Sequence, residues 1–168
     1  VAHPSCAPWG RLAAMHGRGD SERDGDRSCG PIAVEQVRKF GGVLEHPQGS
    51  SLWRHMDMPF PGRGFDRYGG YTIVLNQCDF GHKCKKATWL YAVLPVFPEL
   101  NWKRVWGLAY IGGDGYHGKA ERDRAKASSK GIQKMPQVPK DWNWRTPDAL
   151  KDALYQMAAS CIGWTPIR

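Results

Sequence analysis

The stretch "SCGPIAVEQVRKFGGVLEHP", Ser28 to Pro47, constrains the fold more than any other. Ser28 is placed as a cap and Pro31 near the first helical position. Ile32, Val34, Val37 and Phe40 supply apolar positions, and Gly41-Gly42 supplies a stop, so a short helix is predicted. Val43 to Glu45 then reads as a buried strand that ends at Pro47. Ahead of the helix, Val1-Ala2-His3-Pro4-Ser5 reads as the end of a strand entering a loop, because proline cannot donate to a strand ladder. Strand, helix, strand in that order predicts a parallel βαβ unit. The expected class is α/β, a partial or reduced Rossmann-like sheet with short helices and long loops. A chain that opens on a strand end is read either as lacking its first strands or as a reduced form of a larger fold.

Further along, "YTIVLNQCDF" and "KATWLYAVLP" are β-rich and read as two strands joined by a basic connector, a possible hairpin. "RGDSERDGDR" reads as an exposed loop, and "SSLWRHMDMPFPGRGFDRYGG" as an ordered, irregular excursion. From Gly112 to Lys140 the chain is polar and basic without an apolar stripe, which predicts a mobile basic loop over about 112–140. Thr146-Pro147-Asp148 then caps a closing helix over about 147–161, with Leu150, Leu154, Met157, Ala158 and Cys161 at helical spacing. The 168 residues fit a single domain, 1–168.

Charge narrows the partners. Lys and Arg total 24 against 16 for Asp and Glu, a net charge of +8, which favours polyanions through counterion release. DNA is therefore the expected partner, and the candidate phosphate contacts are Lys83, Lys85 and Lys86 with Lys119, Arg122, Arg124, Lys126 and Lys130. No apolar run reaches the roughly 18 residues that span a bilayer, and the N-terminus lacks a signal-peptide layout, so no membrane partner and a cytoplasmic location are expected. The five cysteines, at 6, 29, 78, 84 and 161, do not form a disulfide framework, and free thiols are expected. Cys78, His82 and Cys84 lack the paired short spacings of a four-ligand zinc site, so no metal is expected. His3 and His46 read as ordinary loop histidines, and the tryptophans, Trp142 and Trp144 included, as packing residues or as base-stacking ones.

Three stretches place a polar group after a buried strand: "VAHPSC", "GVLEHP" and "VLNQCDFGH". In open α/β sheets the loops at the carboxyl ends of strands form the functional crevice, so Cys6, Glu45 and Gln77 are expected to converge there. A deprotonated cysteine is a strong nucleophile, and a nearby acid can hold or protonate what it attacks.

"HPSC", then "LEHP", then "QCDFGHKCKKATWLY" resembles the motif order of cytosine carbon-5 DNA methyltransferases, especially phage-borne relatives: a Pro-Pro-Cys loop, a Glu-Asn-Pro or Glu-Asn-Val loop, and a Gln-Cys-x-Phe-Gly segment leading to Lys-x-Thr-x-Leu. The resemblance spans about Val1 to Leu94, and "RTPDALKDALYQMAASC" resembles the closing helix of such proteins. It implies Cys6 as the nucleophile toward cytosine carbon 6, and Glu45 as the acid that hydrogen-bonds ring N3 and the exocyclic amine. Attack at carbon 6 builds negative charge that protonation at N3 relieves, which makes carbon 5 nucleophilic. Gln77, Lys83, Lys85, Lys86 and His46 are the expected substrate-binding set, and the target base would have to leave the duplex stack. Ser5 stands where the pattern has its second proline, and His46 where it has asparagine. The resemblance also implies S-adenosylmethionine as cofactor, received by a Gly-rich loop that precedes the cysteine loop. "YIGGDGYHG" is the comparable glycine cluster here and follows that loop instead. The alternative is a catalytically degenerate phage factor that occupies DNA or a protein partner without modifying it.

Overall fold

The structure, a computed structural model, describes residues 1–10, 26–96, 98–100, 107, 119–127, 138 and 145–166. The Arg18 to Asp20 tripeptide, the "YIGGDGYHG" cluster, Lys130, Trp142 and Trp144 lie outside those residues. Contacts divide the chain into two compact units. The first comprises Val1–Leu75, Ala87–Asn101 and Lys151–Arg168, and the second comprises Asn76–Lys86 and Trp102–Leu150.

Helix α1, Cys29–Phe40, forms where the proline and glycine signals place it. Gly41 ends it at φ 76°, a left-handed backbone that residues with a Cβ adopt at a cost, and its N–H caps the Val37 carbonyl. The helix buries a narrower stripe than the sequence suggests. Val34 and Val37 are inside, whereas Ile32 and Phe40 are more than half exposed. Ser28 makes no side-chain cap; its N–H and hydroxyl both donate to the Asp26 carboxylate, at 2.7 and 2.8 Å, which fixes the entry to the helix.

Strand β1, Gly42–Pro47, follows at once, and α2 is the short helix Leu52–His55. Strand β2, Tyr71–Asn76, and strand β3, Ala87–Val93, are joined through a 3-10 turn at Gln77–Phe80. The three strands form an antiparallel sheet in the order β1-β3-β2, with Leu44 opposite Tyr91 and His46 opposite Trp89. β3 is buried along nearly its whole length, as a central strand must be, while β2, at an edge, buries only Tyr71 and Leu75. The fold is thus mixed α/β. Among the described residues, parallel pairing is confined to a bridge between Ala2 and Leu44. There Ala2 N donates to Val43 O at 2.8 Å, and Glu45 N donates to Ala2 O at 2.9 Å.

One face of the sheet carries Leu44, Trp89, Tyr91 and Val93, which pack with Val34, Val37, Leu52 and Trp53 into one apolar core. Two short helices also differ in how their sequences announce them. Helix α3, Lys119–Ala127, occupies part of the segment read as a loop: Ala, Glu, Lys and Arg favour helix without any apolar stripe, and Lys119 pairs with Asp123 one turn on at 2.6 Å. Helix α4, Asp148–Ala159, matches the closing helix, with Leu150, Leu154 and Met157 buried. No helix among the described residues is long and apolar enough to cross a membrane.

Candidate functional site

The bridge at Ala2 sets the geometry of the site in the first unit. It holds the N-terminal segment beside β1, so the loop carrying Cys6 follows a residue that is hydrogen-bonded to Glu45, which itself lies within β1 opposite Leu90. Successive side chains of a strand point to opposite faces, so Glu45 leaves the core face that Leu44 and His46 share. Its carboxylate is 13% exposed, and His3 Nδ1 lies 3.1 Å from Glu45 Oε2. With the carboxyl ionised, that nitrogen carries the proton and donates it. His3 is therefore paired with the candidate acid across 42 positions, where the sequence alone suggests an unengaged loop histidine.

The far side of the Cys6 loop is pinned as well. Trp9 N and Gly10 N donate to Cys6 O at 3.2 and 2.7 Å, closing a turn directly after the thiol. Trp9 O accepts from Ser51 N at 2.9 Å and Ser51 Oγ at 3.1 Å, which ties the loop to the start of α2. The Trp9 indole is buried, with the His55 ring centroid 4.8 Å away and the Arg27 guanidinium 5.0 Å from its ring. Cys6 itself is exposed. The result is an accessible thiol on a loop anchored at both ends.

Gly30 is part of that anchor, because a Cβ there would fall 2.7 Å from Trp9 Nε1 and 3.0 Å from Leu52 Cδ1. Gly30→Ala is expected to displace Trp9 and destabilise the protein by about 1–3 kcal/mol. Chemical unfolding, with Trp9 emission as a second readout, checks this.

His46 lies within β1 rather than in a loop, and it is fully buried, with its ring centroid 6.4 Å from that of Trp53. Neither ring nitrogen makes a hydrogen bond of acceptable geometry among the described residues. Burial pushes its pKa below the ordinary 6.5, opposed by the Glu45 charge and by the nearby Ser5 backbone. The two departures from the resembled pattern, Ser5 and His46, are thus spatial neighbours. Because folding lowers the pKa of this ring, the unfolded chain binds more protons as pH falls, and stability falls as pH drops below about 6.5. The thermal midpoint is expected to decline between about pH 7 and pH 5, and His46→Gln to flatten that decline.

The remaining sequence-predicted residues belong to the second unit. Gln77 is fully buried; its N–H donates to Lys86 O at 3.2 Å and its carbonyl accepts from His82 N at 3.1 Å. Lys83 and Lys85 are exposed, whereas Lys86 adopts φ 33° and donates from Nζ to Arg145 O at 3.2 Å. Cys78 and Cys84 are buried, and burial raises both thiols above their usual value. His82 Nδ1 accepts from Cys84 N at 2.9 Å. Among the described residues no group of three His, Cys, Asp or Glu side chains is placed to hold a metal.

A network that the sequence does not reveal surrounds Arg38. Its Nε donates to Tyr91 Oη at 3.2 Å and its Nη2 to Met56 O at 2.7 Å, with Asp66 Oδ2 3.4 Å away. Asp66 in turn accepts from Tyr91 Oη at 2.7 Å and from the backbone N–H groups of Tyr68 and Gly70. These contacts place Arg38 on the wall of a cleft of about 560 Å³, shared with Glu35, Lys39, Met56, Arg67, Tyr68 and Pro166.

The chain matches no protein-family model, no curated protein and no solved structure in the comparisons made.

Proposed function

We propose that the chain is a DNA-binding protein of the cytosine carbon-5 methyltransferase type, with Cys6 as nucleophile and Glu45 as the acid that orients the base. A reduced Rossmann-like sheet is part of the same reading. The observation that supports it is the Ala2–Leu44 bridge, which sets the segment leading to the exposed Cys6 beside the strand that carries the partly buried Glu45.

The chemistry these residues supply needs no further group for its first half. The Cys6 thiolate forms a bond from Sγ to carbon 6 of cytosine, and the electron pair of the 5,6 double bond moves into the ring. Glu45 in its protonated form gives its proton to N3 as the charge builds and takes it back when cytosine is released. Carbon 5 then takes a proton from water, loses its original hydrogen to water, and the carbon–sulfur bond breaks to return thiolate and cytosine. His3, 3.1 Å from Glu45 Oε2, helps to hold the carboxyl group in place.

S-adenosylmethionine supplies a methyl group in the family resembled. The cleft at Arg38 does not fit it: three cations, Arg38, Lys39 and Arg67, face one carboxylate, Glu35, and repel a sulfonium. This mismatch concerns that cleft alone; the second reading, in which the protein occupies DNA without modifying it, is supported by the net charge of +8.

Exchange of the cytosine carbon-5 hydrogen with water, measured by tritium release from labelled DNA without cofactor, separates the two. Release by the wild-type protein supports the nucleophile reading. Salt-sensitive DNA retention without release supports the binding reading, and loss of both overturns DNA as the partner.

A further inference from the structure

We propose that the cleft lined by Arg38, Lys39, Arg67 and Tyr68 is a phosphate subsite that holds the backbone of a nucleic-acid strand; the source of the phosphate rests on the DNA reading above, whereas the anion chemistry does not. Arg38 is fixed before any ligand arrives, since its Nε and Nη2 are already engaged by Tyr91, Met56 and Asp66. Its Nη1 makes no hydrogen bond among the described residues, and the Arg38 side chain, 12% exposed, lines the cleft. A planar guanidinium held through Nε and Nη2 leaves Nη1 to meet an oxyanion, and ordering it costs little further side-chain entropy.

The neighbours extend the same chemistry. The Arg38 guanidinium sits 4.4 Å from the Tyr68 ring centroid and that of Arg67 4.9 Å from it, while Arg67 Nη2 donates to Tyr68 Oη at 2.8 Å. Tyr68 thus positions two cations from separate segments, α1 and the turn at Asp66 to Gly70. Lys39 is exposed and adds a third cation from α1. Cations arriving from two segments suit the several oxygens of a phosphate better than a single carboxylate, and the cleft volume leaves room for the attached sugar. Glu35 is the opposing charge in the lining, and Asp66 offsets part of Arg38 from behind.

That arrangement gives variants of opposite sign. In a fluorescence-anisotropy salt series on a DNA duplex, the double substitution Lys39→Gln and Arg67→Gln is expected to weaken binding about tenfold. It should also reduce the log–log salt slope by about 1.8, two phosphate contacts at roughly 0.9 each. Glu35→Gln is expected to tighten binding. Inorganic phosphate is expected to shift the Arg38 Nε resonance of the wild-type protein, with about tenfold more phosphate needed for the same shift in the double variant. Wild-type binding that the double variant leaves unchanged overturns the subsite and leaves the DNA reading intact. No DNA binding by the wild type overturns both, and no phosphate-induced shift at Arg38 overturns the anion chemistry itself.

Discussion

Cys6→Ala is expected to lower carbon-5 hydrogen exchange by at least about a thousandfold while leaving DNA affinity unchanged. Removing the nucleophile removes the covalent step, and the residual rate comes from binding alone. Glu45→Gln keeps the shape of the side chain and one hydrogen-bonding oxygen but cannot hold a proton for N3. It is expected to cost about a hundredfold or more, within the range for a positioned acid. His3→Ala should cost far less, about two- to fivefold, because His3 is substantially exposed and its contact with Glu45 is a single partly solvated pair. The ranking Cys6, Glu45, His3 is itself a test: a carboxylate that merely supports the loop would not outrank the histidine that touches it. Tritium release from DNA labelled at cytosine carbon 5 measures all three.

Trp53→Ala is expected to destabilise the first unit by about 3–5 kcal/mol, and the thermal midpoint to fall by roughly 10 °C. Trp53 is fully buried, with its ring centroid 5.4 Å from that of Trp89, whose own ring meets Phe60 edge-on at 5.9 Å. Its indole N–H donates to Thr72 Oγ1 at 2.8 Å, and that hydroxyl donates to Pro59 O at 2.5 Å. The substitution therefore opens a cavity beneath the sheet and frees one side of a hydrogen-bonded chain linking β2 to Pro59. Trp53→Phe retains most of the volume and loses the N–H, so a smaller loss is expected. Calorimetry or denaturant unfolding checks the difference.

Local punctuation made parts of this fold readable. Proline near the start and glycine at the end defined α1, the short buried run from Val43 closed by Pro47 defined β1, and the spacing of Leu150, Leu154 and Met157 defined the closing helix. Sheet order was not readable, since nothing local says that β3 lies between β1 and β2. The parallel βαβ expectation shrank to the Ala2–Leu44 bridge for the same reason: pairing partners are chosen by tertiary packing. Helix α3 escaped because its residues favour helix by propensity while lacking the apolar period on which the loop reading relied.

The candidate site divides along similar lines. Cys6 and Glu45 were visible because each follows a strand-like run. The His3–Glu45 pair and the Arg38–Tyr91 contact were not, because they join positions 42 and 53 residues apart and only the folded chain brings them together. His46 looked like a loop residue from its proline neighbour, yet the sheet continues through it and turns its ring into the core.

Cys29 offers an internal control for the central claim, because it is the other exposed cysteine among the described residues. The Asp26 carboxylate accepts a hydrogen bond from its thiol at 3.3 Å, which raises its pKa and disfavours the thiolate. An oligonucleotide carrying 5-azacytosine is a direct probe of the nucleophile: the ring nitrogen in place of carbon 5 makes carbon 6 more electrophilic, and it takes a solvent proton as the carbon–sulfur bond forms. Peptide mapping of the protein–DNA adduct by mass spectrometry is expected to find the added mass on Cys6 and none on Cys29. No adduct, or one distributed equally between the two thiols, would contradict the assignment of Cys6 as the nucleophile.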